Sequence, residues 1–167
     1  LTADWLTIKG GATVQIAGLK LGDGVTGLQL EGEFSTRIEG NELGNDIRGN
    51  NGDNTILGYG GNDVIDLSGT TGRNVVDGGA GDDEIRGGAG NDVLMGGSGA
   101  DVIVSTAGSD TLIGGAGDDR LVVGSTDGKR VVVQGGSGAD EFIIDNFAGD
   151  DGIHLDAAIA DFTRSQD

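Results

Sequence analysis

Asp83, Asp92, Asp101, Asp110 and Asp119 stand nine residues apart, each preceded by glycines, as in GGAGDDEIRGGAGNDVLMGGSGADVIV over residues 78–104. Carboxylates that return to one phase of a repeat can share protons in acid–base work or hold a hard cation through oxygen. Like charges in register repel, and the whole chain carries a net charge of −18 from 28 acidic and 10 basic residues. That balance repels nucleic acid and anionic membrane surfaces and attracts cations. There is no cysteine and a single histidine, His154, so no nitrogen or sulfur cluster exists for zinc or a redox metal. Oxygen ligands are what the chain holds in excess. No apolar run approaches the roughly 18 residues of a membrane span, and no basic, apolar leader opens the chain. It begins at Leu1 and reads as a piece of something longer.

The elements that must position these aspartates follow from the period. Glycine fills 36 of 167 positions and aromatic residues only 4%, a poor composition for ordinary globular packing. Nine-residue units run 40–48, 49–57, 58–66, 69–77, 78–86, 87–95, 96–104, 105–113, 114–122, 125–133 and 135–143. Their eighth positions, Ile47, Ile56, Ile65, Val76, Ile85, Leu94, Ile103, Leu112, Leu121, Val132 and Phe142, are all apolar. Nine residues exceed a strand alternation and fit no helical face, and paired glycines break helices. A turn followed by a three-residue strand does fit. Only the middle residue of such a strand points inward, so the core is a thin ladder that forms only when units stack.

The pattern G-G-x-G-x-D-x-U-x, with U apolar, as in GGAGDDEIR, GGAGNDVLM and GGAGDDRLV, resembles the calcium-binding RTX repeat of secreted bacterial proteins. The resemblance covers residues 40 to about 155, with GLQLEGEFSTRIEGNELGNDIRGNNGDNTILG similar to a looser lead-in and GADEFIIDNFAGDDGIHLD to a closing stretch. It implies an all-β fold, a right-handed parallel β-roll in which two units complete one coil and successive coils lie about 4.8 Å apart. Calcium takes oxygen ligands at about 2.3–2.6 Å, so the resemblance places one ion between carboxylates of adjacent coils, with turn carbonyls completing its shell.

If the insert Leu67-Ser68 and the later ones at 123–124 and 134 merely bulge, the sixth positions sort into two columns. One reads Asp63, Asp83, Asp101, Asp119 and Asp140; the other reads Asn54, Asn74, Asp92, Asp110 and Arg130. The first column is expected to form a site in every interval, and the second between the Asp92 and Asp110 turns. That makes about five calcium ions, with a weaker sixth site between the Asn74 and Asp92 turns. Five ions would bring the net charge from −18 to roughly −8. Fifth-position residues Asn62, Asp82, Asn91 and Asp118 resemble the family's second contributors, whereas Ala100 and Ala139 offer no side-chain oxygen.

The same phasing puts Val75, Val93, Met95, Ile113, Val131 and Val133 on the outer face of one sheet. An apolar strip of that length is expected to be covered, by residues 1–39 or by another chain, which makes it a candidate for self-association or a protein partner. Residues 1–39 read as an N-terminal cap of short β-strands, 40–143 as the roll, and 144–167 as a C-terminal plug gathering Phe147, Ile153, Leu155 and Phe162 beside Phe142. Trp5 and Tyr59 read as packing residues. The glycine turns carry carboxylates where a phosphate would sit, and GSTDGKR over residues 124–130 lacks the hydroxyl residue after Lys129 that a phosphate loop needs. No G-x-S-x-G elbow exists, and the repeat already accounts for every carboxylate pair suited to hydrolysis. The expectation is a non-enzymatic, calcium-binding module, secreted or on a bacterial cell surface, that folds on binding calcium. It would be a structural or adhesive part of a large protein, or alternatively the accessory module of a type I secreted enzyme.

Overall fold

The computed structural model describes residues 5–10, 16–124 and 130–144. Among them are no helices and fifteen strands. These are β1 (Trp5–Gly10), β2 (Ile16–Lys20), β3 (Gly27–Gly32), β4 (Thr36–Asn41), β5 (Asp46–Arg48), β6 (Asn54–Gly60), β7 (Val64–Asp66) and β8 (Val75–Ala80), then β9 (Glu84–Arg86), β10 (Val93–Ser98), β11 (Val102–Ser105), β12 (Thr111–Ala116), β13 (Arg120–Val123), β14 (Val132–Ser137) and β15 (Glu141–Ile144). Odd-numbered strands form one sheet and even-numbered strands the other, and every pairing is parallel. A chain that alternates between two parallel ladders in this way is a β-roll. No helix among the described residues is long and apolar enough to cross a membrane.

Period and core agree. In the odd sheet Leu28, Ile47, Ile65, Ile85, Ile103 and Leu121 stack in register; in the even sheet Ile38, Ile56, Val76, Leu94, Leu112 and Val133 do the same. All are fully buried except Val133, which is 3% exposed. Burial of each such side chain contributes roughly 1.5–3 kcal/mol, and the two files make up most of the core. The coil step is 18 residues from Ile85 to Ile103 to Leu121, and 20 from Ile65 to Ile85 across the insert. The insert does more than bulge: Leu67 turns inward, is fully buried, and fills the space beside Gly49, where a Cβ would overlap it.

The later insert shifts the phase expected from the sequence. Val132 pairs with Thr111, Val133 with Leu112 and Gln134 with Ile113, so Val133, and not Val132, is the inward residue of β14. Val131, and not Arg130, therefore follows Asp110 in the second column, with the Val132 N–H donating to Asp110 O at 2.8 Å. Val131 and Val133 are 1% and 3% exposed and do not belong to an outer apolar strip. What remains outward on the even sheet is Thr55, Leu57, Val75, Val93, Met95, Thr111, Ile113 and Val132, mostly half-buried, with Val75 42% exposed.

The described part of residues 1–39 does not cover this strip. Strands β1 to β4 extend the two ladders, β1 and β3 leading into β5 and β2 and β4 into β6. Leu21, Leu28, Leu30, Phe34 and Ile38 continue the buried core, while Leu6 on the terminal strand is 44% exposed. Tyr59 does not pack as expected either, being 44% exposed. At the other end Phe142 packs partly buried against the core. Phe147, Ile153, Leu155 and Phe162 lie outside the described residues.

Candidate metal sites

Two edges join the sheets. Turns leading from even to odd strands carry Asn45, Asp63, Asp83, Asp101, Asp119 and Asp140 in one column, and those leading from odd to even strands carry Asn54, Asn74, Asp92 and Asp110 in the other. The stacking expected from the sequence thus brings the five first-column aspartates together along one edge.

On that edge each carboxylate does two things. Its Oδ1 accepts the backbone N–H of the sixth residue one coil earlier: Asn45 to Asp63 at 2.7 Å, Asp63 to Asp83 and Asp83 to Asp101 at 2.8 Å, Asp101 to Asp119 at 2.9 Å and Asp119 to Asp140 at 3.1 Å. Its Oδ2 is buried and accepts nothing, in Asp63, Asp83, Asp101, Asp119 and Asp140 alike. A carboxylate oxygen held dry without a donor is costly, and here that cost recurs at every turn.

The surrounding backbone shows what each orphan oxygen faces. A Cβ on Gly78 would overlap Asp83 Oδ2 and lie 2.7 Å from Gly96 O, and one on Gly114 would overlap Asp119 Oδ2 and lie 2.6 Å from Gly135 O. A Cβ on Gly58 would overlap both Asp63 Oδ2 and Gly78 O. On this edge Gly58, Gly78, Gly96 and Gly114, the first glycines of their units, thus keep open a cradle shared by one carboxylate oxygen and a carbonyl of the next coil. Three residues further round, Gly81, Gly99, Gly117 and Gly138 take φ of 125°, 129°, 133° and 135°, which only glycine adopts readily. No three His, Cys, Asp or Glu side chains converge among the described residues, so a cation here would draw on backbone carbonyls as well as on the aspartates. An all-oxygen donor set mixing carboxylates and carbonyls suits calcium.

The RTX calcium-binding nonapeptide repeat matches this chain in four copies, over residues 39–69, 68–103 and 95–129, more than half its length. The chain belongs to the RTX repeat family. That family is structural and calcium-binding, and the roll is accordingly a calcium-binding RTX module. No curated protein matches the chain.

Within the RTX turns the fifth-position residues sit outside. Asn62, Asp82, Asn91 and Asp118 are exposed. Their Oδ1 atoms accept the N–H of the fifth residue of the following coil: Asp82 to Asn62 at 3.1 Å, Ala100 to Asp82 and Ala139 to Asp118 at 2.8 Å, and Ser109 to Asn91 at 2.9 Å. Two side-chain ladders therefore run along each coil in opposite senses, sixth residues capping backward and fifth residues capping forward. Sequence reasoning assigned the aspartates to metal alone and missed these caps. The available signal was Asn45, Asn54 and Asn74 at the sixth position, where an amide can cap without a charge.

Burial pushes the Asp63 carboxyl up to about 7, against the Asn45 N–H that favours its charge and with Asp83 adding to the rise. Asp101 and Asp119 are pushed to about 6, and Asp83 upward, chiefly by burial. These folded-state values lie above those of an unfolded aspartate, about 3.9. The metal-free roll therefore binds more protons than the unfolded chain in this window, and the contribution is lost as pH rises through 6 to 7. Because those protons favour the folded roll over the unfolded chain, acid stands in for part of the cation, and we expect the calcium concentration at the folding midpoint to fall as pH falls from 8 to 6, read by circular dichroism at fixed ionic strength. A midpoint independent of pH would contradict it.

Proposed function

We propose that this RTX module folds when calcium binds outside the cell and serves as a structural or adhesive part of a large secreted or surface-layer bacterial protein. The observation that carries the reading is the unbroken row of buried, unpartnered Oδ2 atoms from Asp63 to Asp140. Asp63, Asp83, Asp101, Asp119 and Asp140 would hold the ions with turn carbonyls, the fifth-position Asn62, Asp82 and Asp118 shaping the outer wall. Calcium bound there would neutralise the row and link successive coils. A chain of 36 glycines with a net charge of −18 buries too little apolar surface to offset its ordering entropy and self-repulsion, so it favours an expanded state until those carboxylates are matched. Binding free energy is then largely folding free energy.

The half-exposed strip of Val75, Val93, Met95 and Ile113 supports the structural or adhesive form over an accessory module of a secreted enzyme, since it offers a surface for another copy or another protein. Far-ultraviolet circular dichroism of the full chain, with millimolar calcium and then with a chelator, tests the folding reading. A β signal that appears with calcium and collapses on chelation is expected; equal β content in both would sink it.

A further inference from the structure

The two edges carry aspartate at the same repeat position but present it in different states. On the second edge Asp92 Oδ1 accepts the Asn74 backbone N–H at 2.8 Å and its amide Nδ2 at 3.0 Å, and Oδ2 accepts the Gly88 N–H at 2.9 Å. Asp110 Oδ1 accepts the Asp92 N–H at 2.8 Å, and Oδ2 accepts the Ser105 hydroxyl. Below them the Asn54 amide donates to Asn50 Oδ1 at 3.1 Å and to Gly52 O at 2.9 Å. Above them the column ends in buried Val131.

The backbone differs in the same sense. First-edge turns continue the hydrogen-bonded register of the even sheet, with Gly79, Gly97, Gly115 and Gly136 paired coil to coil at φ of 110°, 117°, 121° and 116°. The corresponding second-edge residues are Asn50, Thr70, Gly88 and Thr106, none of which takes a positive φ. β-branched threonine resists that conformation, and Gly88 instead points its N–H at Asp92. A cation on this edge would have to displace donors that already satisfy both carboxylates.

We propose that calcium loads only the first edge, one ion in each interval between the Asp63, Asp83, Asp101, Asp119 and Asp140 turns, while the second edge is a metal-independent seam whose two carboxylates are matched by an amide, a hydroxyl and backbone N–H groups. The seam's unpartnered buried oxygens among the described residues, on Asn54 and Thr70, are uncharged. The inference rests on the calcium reading above. The seam sets the coil spacing through hydrogen bonds, and the calcium edge then decides whether the coils stay together.

The test is the number of calcium ions bound per full chain, by native mass spectrometry and titration calorimetry, in the wild type, in Asp101→Asn and in the double variant Asp92→Asn, Asp110→Asn. We expect one ion per first-edge interval in the wild type, the same count in the double variant with its midpoint moved less than about twofold, and fewer ions with a midpoint raised roughly tenfold or more in Asp101→Asn, whose charge serves two intervals. An additional ion in the wild type, or an ion lost from the double variant, overturns one-edge loading and leaves the calcium reading standing. No ion in the wild type removes both. If the double variant does not fold, the wild-type count alone decides.

Discussion

Gly97→Ala is expected to destabilise the calcium-loaded roll by roughly 3–6 kcal/mol, whereas Gly69→Ala should cost only about 1–2 kcal/mol. Both glycines have positive φ, 117° at Gly97 and 82° at Gly69. At Gly69 a Cβ meets nothing within 4 Å, so alanine bears only the strain of the left-handed region. At Gly97 a Cβ would overlap the Gly79 carbonyl oxygen and lie 2.9 Å from its carbon and 3.0 Å from its nitrogen. That backbone cannot yield cheaply, because Gly97 sits in register between Gly79 and Gly115 in a ladder that runs through every coil. Relief requires widening one coil spacing, and the same widening separates Asp83 from Asp101. Urea unfolding in saturating calcium, together with the calcium midpoint, measures both variants. Equal losses at the two positions would mean that close coil approach does not limit the glycine choice.

Ile103→Ala is expected to cost about 3–5 kcal/mol, and Val104→Ala, one residue along and half-buried, under about 1 kcal/mol. Ile103 is fully buried, stacked between Ile85 and Leu121 in its own sheet. Strand β11 also packs across the core against β10 and β12. A globular core can relax into such a gap from several layers, but here the only other inward residue of the Ile103 strand is the small Ser105, and no second layer lies behind it. The cavity persists, and the loss falls in the upper part of the usual range. A domain stable by about 5–15 kcal/mol would then need more calcium to fold. Thermal unfolding at several calcium concentrations reads this directly. A midpoint shift no larger than that of Val104→Ala would show that the apolar file is not what holds the coils.

The architecture was legible because a nine-residue period leaves few options. The eighth positions from Ile47 to Leu121 are all fully buried, and the aspartates at the sixth stack as their phase required. Legibility failed where the period was interrupted. The run Val131-Val132-Val133 offers three equivalent apolar residues, and only the backbone pairing of Val132 with Thr111 selects Val133 as inward. Leu67 looked like part of a bulge because nothing local reports the empty space beside Gly49 on the preceding coil. The stretch before residue 40 lacks the glycine-aspartate pattern, yet β1 to β4 join the same ladders. Parallel pairing depends on inward apolar residues such as Leu28 and Ile38, not on the turn sequence.

Sequence by itself determined the repeat, the inward file, the stacking of carboxylates and hence the demand for an oxygen-bound cation, because each depends only on residue type recurring at a constant interval. Tertiary structure alone decided how each carboxylate meets that demand. Asp83 and Asp92 occupy the same place in nearly identical units, GGAGDDEIR and GGAGNDVLM. Oδ2 of Asp83 is buried with no donor, and Oδ2 of Asp92 takes the Gly88 N–H. The difference comes from the turn conformation that the neighbouring coils impose, glycine on glycine along one edge and Thr70 and Thr106 flanking Gly88 along the other. The partner of each Oδ1 lies one coil away, about 18 residues along the chain, and whether a turn N–H four residues back reaches Oδ2 depends on the turn conformation, which a nine-residue motif does not report.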